Sequence, residues 1–424
     1  MVKSIVNTVG TKFLSAAFNF FIILITANYL GTEGRGQISL LIASITIVLL
    51  FANFVGGNTL IFLTPRKPIS ELLFVSYLWT LLTVILAFLS MYFFHVFDFN
   101  YCLHISVLSL LFSFTAIHIS ILLGKENIET ANKITLFQVI AHFFLLGICF
   151  IFFEMNTDSV FIFSLYVTYG IAFLLSAFYL KNFIDKSVTF KLSDTLRMAF
   201  TIGALAQTAN IFQFLNYRLD IYLLHNYDSL SNLGIYSTTV SLAEAALLFG
   251  SSFALVQFSK IANTQNENQN RELTIKLTRY SILLTLIAYF PLFIFPDEFY
   301  SFLLGKDFYK VRDILLALSP GIILLGSSVT LSHYFAGIGK YKFNAWASLA
   351  GLLVTLVLGL IFIPEYGFIG AAWVSSISYG ISTLVLLLSF ILQTKTKVKE
   401  LIPTISDLKF LQKSILNVRN SRNS

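Results

Sequence analysis

Twelve apolar stretches, each roughly 18 to 25 residues long and divided by short polar loops, run from Ile5 to Leu392. A helix of that length crosses the hydrocarbon of a bilayer, and a chain made of such segments has no other way to satisfy its backbone groups in lipid. The spacing predicts spans at 5–29, 38–62, 72–96, 102–123, 134–153, 160–180, 199–225, 234–258, 280–295, 313–335, 345–363 and 368–392. Composition agrees: 57% of residues are hydrophobic and only 12% are charged, with a mean hydropathy of +0.81. The expectation is an all-α integral membrane protein with about twelve transmembrane helices.

Charge sets the orientation. Of the 28 Lys and Arg residues, 22 fall on the side that holds both termini, four on the other, and Lys12 and Arg218 lie inside spans. Cations gather on the cytoplasmic side, so both termini are expected in the cytoplasm and the net +7 reads as membrane flanks, not as a nucleic-acid surface. The first span is too long for a removable signal peptide and carries Lys12 within it. Neither Cys102 nor Cys149 suggests a disulfide or a metal site.

The basic stretch 181–198 separates six spans from six, which predicts an N-terminal lobe over 1–180, a cytoplasmic linker and a C-terminal lobe over 199–392. Local echoes support an internal duplication. Leu30-Gly-Thr-Glu-Gly after the first span matches Leu233-Gly-Ile-Tyr after the seventh, and Gly124-Lys125 matches Gly339-Lys340. Two six-helix lobes around a central cavity is the transporter form of such a repeat. Beyond them, 393–424 reads as a basic amphipathic tail, with Leu401, Ile405, Leu408, Leu411 and Ile415 on one face of a helix over 398–418 lying on the anionic inner leaflet.

Charges within the spans are the candidate functional residues, because each costs at least about 2.5 to 3.5 kcal/mol to place there. Arg218 and Glu244 come to similar depths in neighbouring helices, so an interhelical pair is geometrically open; Asp220, two residues on, points about 200° away from Arg218. Arg218, with Lys12 and Asn19 of the first span, suits an anionic substrate, while Asp220 and Glu244 suit a coupling ion or a charge pair. His142 and His333 are weaker candidates, since a lone histidine in a span is more often a packing residue. Asn53, Gln138, Gln207, Asn210, Gln213 and Gln257 offer further polar surface.

Several chemistries are missing. The sequence has no P-loop, no H-E-x-x-H, no Cys/His cluster and no G-x-S-x-G elbow, so no catalytic residue, cofactor or metal is expected and the chain is not read as an enzyme.

Four motifs carry a resemblance: Tyr29-Leu-Gly-Thr-Glu-Gly-Arg-Gly36, Arg218-x-Asp220-x-x-Leu-Leu224, Leu233-Gly-Ile-Tyr-x5-Leu-Ala-Glu244 and Pro364-Glu-Tyr-Gly-x-x-Gly-Ala-Ala372. In order and spacing they resemble the Wzx-like polysaccharide repeat-unit flippases of the multidrug/oligosaccharidyl-lipid/polysaccharide exporter superfamily. The resemblance implies two six-helix lobes opening alternately to each side, and transfer of an undecaprenyl-diphosphate-linked oligosaccharide (O-antigen, capsule or exopolysaccharide unit) to the outer leaflet of a bacterial inner membrane. It also implies a polysaccharide polymerase and a chain-length regulator as candidate partners, and it assigns Arg218 to the anionic cargo. The nearest rival is a cation-coupled multidrug exporter of the same superfamily, which Asp220 and Glu244 would suit. A membrane polymerase or ligase ranks lower, because the largest outer segment, 296–312, is too short for a catalytic loop.

Overall fold

The computed structural model describes residues 2–153, 157–184, 192–262, 266–404 and 406–408. It is 89% helical, and no strand occurs among the described residues. In chain order the helices are α1 (Val2–Ala52), α2 (Gly57–Leu63), α3 (Ile69–Phe93), α4 (Phe99–Gly124), α5 (Ile128–Phe152), α6 (Asp158–Leu180) and α7 (Leu192–Tyr227). They continue with α8 (Leu230–Ala245), α9 (Leu248–Ala262), α10 (Glu267–Ile294), α11 (Asp297–Leu304), α12 (Val311–Gly337), α13 (Lys342–Thr394) and α14 (Val398–Leu401).

Among the described residues, eight helices are long and apolar enough to cross a membrane. The sequence pattern had twelve segments, and the difference has physical sources. The first two segments fuse into α1, which runs through Gly31, and the last two into α13, which runs through Gly367. Both glycines break the helical geometry with positive φ, at 66° and 56°. That region is nearly free for glycine and costly for any residue with a Cβ, so each glycine turns one long helix into two. The segment expected over 234–258 is not one helix: α8 and α9, with 16 and 15 residues, meet at a break after Ala245, and α7 is not among the eight.

The faces are inverted relative to a water-soluble helix. On α3 the exposed side is Phe74, Leu78, Leu82, Ile85 and Leu86, whereas the buried side includes Glu71, Ser76, Thr80 and Thr83. Apolar residues outward and small polar residues inward is the pattern expected when the solvent is hydrocarbon and helices are joined by close packing and hydrogen bonds. The chain is a multi-pass membrane protein.

It divides into two compact units, 1–211 and 212–424, with the boundary inside α7. The first half of α7 belongs to unit 1, where Thr195 donates to the buried Glu71 of α3 at 2.7 Å. Unit 1 has two apolar cores, one around Leu41, Ile45, Ile105 and Leu146 and one around Leu60, Leu72, Ile117 and Ala172. Unit 2 packs Ile275, Leu331, Phe335 and Phe390 together. The expected linker over 181–198 lies partly outside the described residues, which resume at Leu192.

The tail differs from the sequence reading. Helix α14 ends at Leu401, ahead of Pro403, whose ring disfavours a helical conformation in the residue before it. Leu401 is buried against the protein, not turned to a bilayer surface. Ile405, Leu411 and Ile415 lie outside the described residues.

Candidate functional site

The second half of α7 carries Asn216, Arg218 and Asp220, and its helical turn sends them two ways. Residues 216 and 220 are four apart and share one face; residue 218 lies on another. Arg218 reaches α8, where it meets Glu244 in a two-pronged contact: Nη1 donates to Oε1 at 3.0 Å and Nη2 to Oε2 at 2.7 Å. The planar fork of a guanidinium matches the two oxygens of a carboxylate, which makes this the strongest ordinary ion-pair geometry. Both side chains keep about a quarter of their surface exposed, 28% and 26%. Glu244 stands next to the break between α8 and α9, where Leu247 N–H closes on its carbonyl at 2.9 Å.

Asp220 is buried and fully engaged by its own protein. One carboxylate oxygen accepts from the Ile221 backbone N–H at 2.8 Å; the other accepts from Ser375 Oγ of α13 at 2.8 Å and from the hydroxyl of Tyr236 on α8. One turn back, Asn216 does the same work without a charge. Its Nδ2 donates to Ser382 Oγ at 3.0 Å, and its Oδ1 accepts from Ser378 and from Thr355 Oγ1, the latter at 3.1 Å. Asn216 and Asp220 therefore tie α7 to α13, while Arg218 remains the cation of the pair with Glu244. Beside them the Tyr217 ring meets Tyr379 edge-on at 5.1 Å. The Tyr379 hydroxyl is buried and has no hydrogen-bond partner among the described residues.

The remaining candidates stand apart from this cluster or in unit 1. Lys12 and Asn19 are both exposed on the first half of α1. His142 is buried, with Ser164 Oγ at 3.3 Å from Nε2 and the Phe161 ring against it. His333 places Nδ1 2.8 Å from the Val329 carbonyl one turn back. His118 bridges Tyr77 of α3 and Ser176 of α6, the latter at 2.7 Å. Among the described residues no group of three or more His, Cys, Asp and Glu is placed to hold a metal ion, and both cysteines are free thiols.

Ser375, Ser378 and Thr355 escaped the sequence reading. Their signal was present as a run of small polar residues, Ser375-Ser376-Ile377-Ser378, in a span otherwise fit for lipid. Positions 375, 378 and 382 share one helical face, which is the face that meets Asn216 and Asp220.

The fold is that of the lipid II flippase MurJ, with a TM-score of 0.72 at 18% identity over 92% of this chain and 88% of that one. It is also that of a multidrug-resistance MATE transporter of the MOP superfamily solved in an inward-facing conformation, with a TM-score of 0.69 at 12% identity over 90% and 94%. In sequence, the chain is 22% identical over 169 residues to the probable low-salt glycan biosynthesis flippase Agl15 of Haloferax volcanii, covering 39% of this chain and 36% of that protein. It is 27% identical over 173 residues to the capsular polysaccharide biosynthesis protein CapF of Staphylococcus aureus, covering 40% and 44%. The matched stretches thus span less than half the length of either relative. No protein-family model matches the chain.

Proposed function

We propose that the chain is a flippase that carries an undecaprenyl-diphosphate-linked oligosaccharide repeat unit from the cytoplasmic to the outer leaflet of a bacterial cytoplasmic membrane, by alternating access of two lobes, with both termini in the cytoplasm. The observation that carries this reading is the Arg218–Glu244 pair, an arginine presented inside a transporter fold with a carboxylate as its resting partner. Further support comes from two relatives whose names place them in glycan and capsule synthesis.

The chemistry of the pair fits an anionic cargo. A diphosphate offers the same spacing of oxygens that Glu244 offers to Arg218, so it competes for the same fork. Binding of the cargo at Arg218 displaces Glu244 from the fork, and departure of the cargo restores the pair. Asp220, saturated by three donors, keeps α7 in register with α8 and α13 while this exchange takes place.

The test is genetic complementation. The gene is deleted in its host, and wild type, Arg218→Ala and Glu244→Ala are expressed at matched levels while surface polysaccharide and accumulated lipid-linked repeat unit are scored. The reading requires loss of surface polymer with lipid-linked units retained inside, rescued by wild type and by neither variant. Normal surface polysaccharide in the deletion strain, with new sensitivity to cationic drugs, would instead identify a multidrug exporter.

A further inference from the structure

Helix α13 ends at Thr394 and is capped by Lys395, whose left-handed φ of 52° turns the chain back on itself. The segment that follows lies along the first turns of α10 and is tied there at several points. Arg271 of α10 donates Nε to Thr396 Oγ1 at 2.8 Å and forms an ion pair through Nη2 with Glu400. Arg279, two turns further along the same helix, donates Nε to the backbone carbonyl of Glu400 at 2.6 Å. Its Nη1 stands 3.7 Å from the Asp407 carboxylate.

Glu400 is the centre of this arrangement. One of its oxygens accepts from the Lys397 N–H at 3.0 Å and closes the single turn of α14; the other faces Arg271. Asp407 is likewise shaped by its own segment, accepting from the N–H and hydroxyl of Thr404 at 2.8 and 2.6 Å. Between the two acids Leu401 is buried in the cluster that contains Ile275, Tyr334 and Phe390. The two arginines are eight residues apart, roughly 12 Å along the helix axis, so the segment spans two turns of α10.

A neighbouring face of the same turns is bolted to the rest of unit 2. Gln257 of α9 donates to Thr274 Oγ1 at 2.9 Å, Thr278 and Thr330 of α12 share a hydrogen bond at 2.9 Å, and Ser281 donates to the Gly326 carbonyl at 2.5 Å. Ties that differ in chemistry thus hold the start of α10. Those to α9 and α12 are neutral and buried; those to the tail include two ion pairs, Arg271–Glu400 with 26% and 36% of the side chains accessible and Arg279–Asp407 with 22% and 10%, beside arginine hydrogen bonds to Thr396 and to the Glu400 carbonyl. Ionic ties of that exposure weaken when salt shortens the Debye length to about 3 Å at 1 M, and buried neutral ones do not.

We propose that residues 396–404 and 406–408 form a releasable strap, a salt-sensitive clamp that sets the rigidity of the first turns of α10 and locks them to the end of α13. Docked, it makes α10, α12 and α13 one block at this end of unit 2. Released, it frees the start of α10 while α12 stays packed.

Hydrogen exchange on the full-length protein in detergent micelles tests this. At 0.1 M salt the amides of residues 271–281 exchange about fivefold faster in Glu400→Gln than in wild type, and about tenfold faster in the Glu400→Gln/Asp407→Asn double variant. Wild type in 1 M salt approaches the double variant. The reversed pair Arg271→Glu/Glu400→Arg returns exchange to within about threefold of wild type, which separates a lost ion pair from a misfolded protein. Amides of α12 and of α4 stay unchanged throughout. Unaltered exchange over 271–281 in the double variant, or an equal acceleration across all of unit 2, would overturn the proposal.

Discussion

In unit 1 several links between helices are neutral: Tyr77, His118 and Ser176 join α3, α4 and α6, and His142 meets Ser164 between α5 and α6, although the buried Glu71 and Arg35 bond Thr195 and Thr26 there. In unit 2 the corresponding links between α7, α8 and α13 are charged, with Arg218 against Glu244 and Asp220 held by Tyr236 and Ser375. Both arrangements join helices, and hydrogen bonds of the neutral kind average only about 0.6 kcal/mol in a membrane interior. Glue alone therefore gives no reason to place three charges in α7 and α8 at a cost of about 2.5 to 3.5 kcal/mol each. The contrast is between neutral links that join helices in one unit and charged links in the other, and the proposed anionic cargo would use the latter.

The strongest way to break this comparison is to strip one charge from the pair. Arg218→Ala leaves Glu244 inside the bundle without a counter-charge. Because the pair keeps about a quarter of its surface exposed, the cost falls near the lower end of the range for broken buried pairs, about 2 to 3 kcal/mol. Thermal unfolding in detergent measures it, and the reversed pair Arg218→Glu/Glu244→Arg should recover most of that stability without recovering transport. Asp220→Asn comes next, at about 1 to 3 kcal/mol, since the amide offers one acceptor oxygen where three donors converge. Gly367→Ala, at a φ of 56°, should cost about 1 to 2 kcal/mol by straining the bend in α13, and Gly31→Ala should do the same in α1. The smallest effect is expected in unit 1: His118→Ala should lower stability by about 1 kcal/mol through two lost hydrogen bonds and leave transport within about threefold of wild type.

Depth counting along the helices found the Arg218–Glu244 pair, because rise per residue fixes how far each side chain lies from a helix end. The angle around the helix separated Asp220 from Arg218, which the structure places on different neighbours. The serine ladder of α13 was hidden, because hydroxyls scarcely lower the hydropathy of a span and their partners are 139 to 166 residues away in sequence. The internal echo was read at Leu30-Gly31 and Leu233-Gly234, yet Gly234 lies within the regular helix α8. The conformational counterpart of Gly31 is Gly367, and each opens a G-x-x-G motif, of which the second stood only in the family-like signature. At the start of the tail, helical periodicity takes no account of Pro403, or of carboxylates that find arginines on α10, and most of the amphipathic stripe lies outside the described residues.

The most direct test is reconstitution. Purified wild type, Arg218→Ala and His118→Ala are placed in proteoliposomes loaded with undecaprenyl-diphosphate-linked oligosaccharide, and transfer between leaflets is followed by the exposure of the glycan to an external glycosidase. The account predicts that wild type and His118→Ala transfer the lipid at rates within about threefold of each other, whereas Arg218→Ala falls more than tenfold. Equal rates for wild type and Arg218→Ala would contradict it, because the charges of unit 2 would then be structural, as the neutral links of unit 1 are.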